Sequence, residues 1–399
     1  MKNMNKNKIV FAAIMALSAS AGWSQTPVSG LTSNEIIFGR AASFAGGDLA
    51  VGKQMRFGFE AQFRKINEEG GIYGKKIKML EYDDAGQAEK TAEGAEILLK
   101  KYDVFALLGT TGAKSTKAVI PLLNQYKTPL IGPYSGDVAT SQEYNKYVFN
   151  TQANYLDQTK ALAEHASQSG IKTIGLIQED VGDANLAQAI VDEFKKRGVL
   201  ATIAQGVTSV TTNEMALQIS NKIIEKKPQG LIVVGSTSKV AKTVSKIIES
   251  IPGIQVYVIP TTDTLQFAKE MGSSSYGVIT SQVVPMPFKG SSDLAAEYKG
   301  LLNKYYPKEN VTFVGLQAYA TAKLVSEALK KTGPQPTKEK FITSMESLKF
   351  YNLGGIVVSY GQSQRVGSKF VETVMIGNGQ NKENPKQWLD GSNFENFLE

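Results

Sequence analysis

The sequence predicts an α/β protein built from two units, each a mainly parallel sheet flanked by helices. Three observations carry this. Short apolar runs of strand length alternate with stretches of helical period from Ile36 to Ile376. The alternation restarts after a polar crossing segment at 150–155, so there are two series. Small-residue turns, Gly109-Thr-Thr-Gly112 and Gly132-Pro-Tyr-Ser-Gly136, follow two of the strands. Open parallel sheets bind small ligands at that carboxyl edge.

The first series opens with a strand over Glu35 to Gly39 and a small-residue loop from Arg40 to Gly47 that includes Ser43. A helix is expected over Leu49 to Glu68, closed by Gly70-Gly71, then a strand over Ile77 to Tyr82. The pair Asp83-Asp84 ends that strand and caps the segment after it; paired carboxylates also do acid–base work. Helices over 89–101 and 114–126 and strands over 104–108, 129–131 and 147–149 complete the series. Ala118, Val119, Leu122 and Leu123 form the apolar side of the second of these helices.

The second series runs helix 157–167, strand 173–177, polar turn 178–183, helix 184–197, strand 200–204 and helix 214–226. Strand 230–234, helix 239–250, strand 256–259 and the turn Pro260-Thr-Thr-Asp263 come next. An extended segment, 277–287, leads to helices at 294–305, 313–331 and 338–348. Strands are expected over 354–360 and 369–376, and the residues beyond 378 read as a polar tail.

The first residues read as an export signal. Lys2, Lys6 and Lys8 precede an apolar run from Ile9 to Leu17, and Ala19-Ser-Ala21 fits the small-residue cleavage rule. That run is too short to span a bilayer. A signal peptide of residues 1–24 is expected, and a mature protein in the periplasm without membrane insertion. Cysteine is absent from the chain, which removes disulfides, thiol nucleophiles, thiolate metal sites and a lipid-bearing cysteine. Loss of the three leader lysines takes the formal charge from +7 to +4. The remaining charges alternate in sign, so no basic stripe for nucleic acid is present.

Candidate chemistry gathers at the turns. Thr110, Thr111, Ser115, Thr116, Tyr134 and Ser135 offer hydroxyls, and the glycines let backbone approach a ligand. Each hydroxyl can equally serve as a turn cap. Lys114-Ser115 suggests a phosphate loop, but that motif needs glycine where Ala113 and Leu108 stand. What survives is a helix N-terminus able to hold a small anion. Lys114 reads as a solvated lysine on the first helical turn. His165, the one histidine, falls in a polar helical stretch and reads as an exposed position. With no cysteine and one histidine there is almost no material for zinc chemistry or a Ser–His triad, and no G-x-S-x-G motif occurs.

The segments Ile66-Asn-Glu-Glu-Gly-Gly-Ile-Tyr-Gly-Lys-Lys76, Glu81-Tyr-Asp-Asp84, Leu108 to Gly112, Gly132 to Gly136, Ser281-Gln-Val-Val-Pro-Met-Pro287 and Leu353-Gly-Gly355 together carry a family resemblance. From about Ser33 to Ile376 the chain resembles the periplasmic solute-binding proteins of branched-chain amino acid ABC transporters. The resemblance implies the two-lobed type I periplasmic-binding fold, with three chain crossings forming the hinge. Lobe 1 is then 34–152 plus 283–350, lobe 2 is 153–282 plus 351–380, and 381–399 is a C-terminal tail. The crossings are expected near 150–155, 281–284 and 348–354.

The resemblance also implies a site. Thr111, Gly112, Ala113 and Ser115 in one first-lobe turn, with Tyr134, Ser135 and Gly136 in the other, would hold the ligand's carboxylate. The family's usual hydroxyl position falls on Ala113. Tyr155 could pack on the ligand's body, and Ser43 and Ser236 join the set from neighbouring turns. The aromatic position of lobe 2 is occupied by Val181. The acidic partner of an ammonium group falls at Thr261 or Thr262, with Asp263 close by. The implied function is capture of an amino acid or related small carboxylate for a membrane permease, by a monomer with no cofactor and no catalysis. Two alternatives stay open: a ligand sensor of the same fold, and a periplasmic enzyme using Asp180, Asp183 and Asp263.

Overall fold

The computed structural model describes residues 30–44, 49–137, 145–179, 181, 185–207, 213–288, 291–377 and 394–396. The signal segment at 1–24 and the carboxylates Asp180 and Asp183 lie outside the described residues.

Two sheets organise the chain. The first contains β1 Glu35–Ala42, β2 Lys76–Asp83, β3 Ala106–Leu108, β4 Leu130–Ile131 and β5 Val148–Phe149. They lie in the order β2-β1-β3-β4-β5, and every neighbouring pair is parallel. The second contains β6 Thr173–Glu179, β7 Leu200–Val207, β8 Gly230–Val234, β9 Gln255–Ile259 and β10 Ile279–Gln282. These run parallel in the order β10-β9-β8-β6-β7. The short strands β11 Tyr351–Asn352 and β12 Val357–Val358 pair only with each other. Two antiparallel strands, β13 Glu372–Ile376 and β14 Phe394–Asn396, extend the second sheet beyond β10.

Central strands are apolar throughout because helices cover both faces of a parallel sheet. Ala106–Leu108 and Gly230–Val234 are buried at every residue. Helix Phe313–Thr332 is buried on nearly all sides and packs against helix Leu49–Glu68. The two cross where Gly58 meets Gly315: a Cβ on Gly58 would lie 2.2 Å from the Gly315 carbonyl oxygen. Only glycine allows that approach.

Several expectations need correction. The stretch 354–360 is not one strand; Val357–Val358 alone pairs there, and the rest turns back on helices of the first unit. The Gly354 carbonyl accepts from Leu294 N at 2.8 Å, and Lys323 Nζ donates to the Leu353 carbonyl at 3.0 Å. The third crossing therefore lies beyond 348–354. Tyr360 is buried against Phe149, with ring centroids 5.5 Å apart, and donates to the Asn150 carbonyl at 2.9 Å. Arg365 stacks on Phe149 and pairs with Glu346 at 2.6 Å. The chain enters the second sheet between Gly367 and Glu372, so 351–367 packs with the unit expected to end at 350. Helix Thr264–Met271 and strand β14 were not foreseen; the latter falls inside the expected tail. His165 is half-buried, with its ring 5.8 Å from that of Tyr257.

Candidate functional site

The carboxyl ends of the two sheets face each other. The turn after β4 carries Tyr134, whose phenol donates to the Thr262 carbonyl in the turn after β9 at 3.4 Å. The facing surfaces leave a small pocket between them. Tyr134, Ser135, Gly136 and Tyr155 line one side of it, and Pro260, Thr261 and Ser281 another.

The two first-sheet turns are knitted together by backbone. Gly112 N donates to the Tyr134 carbonyl at 2.9 Å, and Tyr134 N to the Thr110 carbonyl at 2.8 Å. Helix Ala113–Tyr126 starts directly after Gly112 without a capping side chain. The N–H groups of its first turn and its partial positive end suit a carboxylate. Beside it, Thr111 is buried and its hydroxyl has no hydrogen-bond partner. Most buried hydroxyls are paired, so this one stands out.

The other hydroxyls of these turns are engaged. Ser115 turns away to Thr91, at 2.7 Å, and Thr91 donates to Asp84 at 2.8 Å. Thr110 bonds Thr116 at 2.9 Å. Ser135 accepts from the N–H of Asp137 at 3.2 Å. Asp83 and Asp84 cap the turns around them; burial raises the Asp84 pKa, against hydrogen bonds from Gly86 and Thr91. Ala113 is buried as the first residue of its helix, and Ser43 is buried after β1.

Gly136 meets Tyr155 edge-on. A Cβ there would lie 2.5 Å from Tyr155 Cδ1, and the Gly136 carbonyl accepts from Tyr155 N at 2.7 Å. Burial drives the phenol pKa of Tyr155 upward, so it remains a neutral hydrogen-bonding wall.

In the second unit, Ser236 receives the N–H groups of Thr261, at 3.0 Å, and Thr262, at 2.7 Å. It thereby shapes the turn after β9. Val181 packs in the second unit's core. Asp263 does not reach into the pocket. It caps helix Thr264–Met271, accepting from Gln266 N at 2.8 Å, and burial raises its pKa to about 6.

The sequence profile of the periplasmic binding protein family matches residues 36–376, nearly the whole described chain. The chain belongs to that family. Its type I, leucine-binding-like class agrees with solved structures of the same fold. A leucine binding protein from Thermotoga maritima superposes with a TM-score of 0.72 at 16% identity, covering 86% of this chain and 96% of that one. A fatty acid ABC transporter substrate-binding protein from Thermomonospora curvata gives a TM-score of 0.76 at 15% identity, covering 88% and 90%. An amino acid binding protein from Pseudomonas aeruginosa is 23% identical over 206 residues. That match spans 50% of this chain and 54% of the relative, about half the length of each.

Sequence reasoning missed several residues in and behind this binding protein's cleft. Arg40, fully buried, donates to the Gly109 carbonyl at 3.4 Å and the Gly52 carbonyl at 3.1 Å, and pairs with Glu81 at 3.1 Å. It braces the turn that leads to Thr111. Desolvation lowers its pKa to about 10, against the pull of Glu81, and it stays charged. A charge inside the run Ile-Ile-Phe-Gly-Arg-Ala-Ala was the available signal. Glu179, at the end of β6, accepts hydrogen bonds from Thr237 and, at 2.8 Å, from Thr261. Near the hinge, Gln152, Gln158, Gln282 and Gln317 line the pocket. No local pattern announces these glutamines, because three separate segments bring them together. Among the described residues, no helix is long and apolar enough to cross a membrane.

Proposed function

We propose that this protein is the solute-binding component of an ABC importer, capturing an amino acid or related small carboxylate between its lobes. The observation that carries the reading is the uncapped start of helix Ala113–Tyr126 beside the unpartnered Thr111 hydroxyl. Together they offer backbone N–H groups, a helix dipole and a hydroxyl to one carboxylate. Supporting it, the related proteins named above take leucine, fatty acid or amino acid, all carboxylates. Contacts from both lobes give the ligand a differential affinity for the closed state, which a permease can read. The protein acts in the periplasm after loss of residues 1–24, as a monomer, and returns its ligand unchanged.

A thermal-shift screen of amino acids, small carboxylates and aromatic acids tests this, because a ligand of the native state alone raises the melting temperature. The carboxylate ligand should be recovered intact and should fail to bind as its methyl ester. Equal binding of acid and ester rules out the carboxylate anchor, and turnover of the compound rules out a pure binder.

A further inference from the structure

The hinge side of the pocket carries a feature that neither the carboxylate anchor nor the closure mechanism uses. Gln152, Gln158, Gln282 and Gln317 are each less than one-tenth exposed, and all four line the space that the Tyr134–Gly136 turn also lines. Two of them are spoken for. Gln158 accepts from Ser281 at 2.9 Å and donates to the Ala153 carbonyl at 3.3 Å. Gln282 donates to the hydroxyls of Thr264 and Thr280, each at 3.0 Å.

The other two are bonded to each other, and only on one side. Gln317 Nε2 donates to Gln152 Oε1. Gln152 sits in the first crossing segment, and Gln317 near the start of helix Phe313–Thr332. The pairing leaves Gln152 Nε2 and Gln317 Oε1 to the pocket, a donor beside an acceptor. Turning both amides over leaves the same combination, so the property does not depend on which way either amide is assigned. Phe313, Val283 and Val284 supply apolar wall beside the pair, and none of the described lining residues carries a formal charge.

Resting on the reading that a ligand carboxylate occupies the Thr111 turn, we propose that the Gln152–Gln317 pair selects an amino acid whose side chain ends in an uncharged carboxamide. A carboxamide is the complement of one donor and one acceptor side by side. An aliphatic side chain of the same shape would displace water from both glutamine amides and return no hydrogen bond. Sites built to hydrogen-bond a substrate group reject the analogue lacking it far more strongly than apolar pockets reject an extra methylene. An acidic side chain is acceptor-only, so one of its oxygens would face the acceptor of the pair instead of donating to it.

Shape selects the probes. L-Leucine and L-aspartate are near-isosteres of L-asparagine, and L-glutamate is one of L-glutamine. Calorimetry on the wild-type mature protein with these five should show asparagine or glutamine binding at least tenfold tighter than leucine and than its own acidic isostere. Leucine binding as tightly as the better carboxamide overturns the inference and leaves the carboxylate anchor standing. Binding of none of the five overturns this inference, while the wider screen and the acid–ester comparison still decide the carboxylate reading. The variant Gln317→Leu should lose at least tenfold in affinity for the better carboxamide while its affinity for leucine stays level or rises. An equal loss for every probe would mean that Gln317 merely supports the hinge, and the proposal would fail. The wild-type comparison decides the matter by itself should that variant not fold.

Discussion

The phenol of Tyr134 reaches the carbonyl of Thr262 across 3.4 Å, and this bond joins turns 128 residues apart that leave different sheets. It is a long, neutral hydrogen bond at the rim of the pocket, worth about 0.5–1 kcal/mol. A contact made only when the lobes are together favours the closed arrangement by that amount. Tyr134→Phe keeps the ring and removes the bond. The variant should bind its ligand about two- to fivefold more weakly, and small-angle scattering without ligand should give a larger radius of gyration than wild type. Identical scattering and affinity would show that the bond does not bias closure.

Thr111 and Ser115 separate two roles that their shared turn makes easy to confuse. The Thr111 hydroxyl is buried without a partner, whereas Ser115 is bonded to Thr91 behind the helix at 2.7 Å. Thr111→Val should lower ligand affinity about tenfold, the loss of one hydrogen bond to a charged acceptor. The empty variant should melt at the same temperature as wild type or higher, because an unpaired buried hydroxyl has been removed. Ser115→Ala should do the reverse. Its affinity should stay within about twofold of wild type while stability falls by about 1 kcal/mol, since Thr91 loses a buried partner. Calorimetry and urea denaturation on both variants check the pair. A tenfold affinity loss in Ser115→Ala with none in Thr111→Val would reverse the assignment.

How much of this could be read from sequence depends on how local the cause is. The helices at 49–68, 113–126 and 313–332 were legible within a residue or two, because an amphipathic period and a terminal glycine act locally. The turns at Gly109 and Gly132 were legible for the same reason. The last crossing was not. Gly354 to Tyr360 has the composition of a strand, but Tyr360 finds its burial against Phe149, more than two hundred residues earlier. The direction of a hydroxyl was equally hidden. Thr111 and Ser115 look alike in sequence, and only the position of Thr91 on the neighbouring helix tells them apart. Asp263 looked like a cleft carboxylate because the helix it caps, Thr264–Met271, was itself missed.

The approach of Tyr155 to Gly136 leaves no room for a methyl group. Gly136→Ala places a Cβ about 2.5 Å from the Tyr155 ring, so the ring must move and with it the start of helix Tyr155–Gln168. Overpacking of this kind costs roughly 1–3 kcal/mol. Tyr155→Ala empties the space that the methyl would fill. The double variant should therefore be more stable than the two single losses added together. A double-mutant cycle by chemical denaturation measures this, and strict additivity would mean that the two residues do not press on each other.

Asp263 links stability to pH. Its carboxyl is buried and its pKa is raised to about 6, with desolvation outweighing the hydrogen bonds from Gln266 and Leu265. A folded pKa above the ordinary value of about 3.9 means that between those two pH values the native state holds more protons than the unfolded chain. Stability from this group therefore falls as pH rises from about 4 to 6 and is level above that. The size is on the order of 2–3 kcal/mol at most, since one unit of pKa corresponds to about 1.4 kcal/mol. Asp263→Asn keeps an oxygen to cap the helix and removes the ionisation. Relative to wild type, this variant should gain melting temperature progressively as pH is raised from 4 to 7. If the difference between the two proteins is constant across that range, or shrinks with rising pH, the carboxylate is better solvated in the native state than its burial indicates.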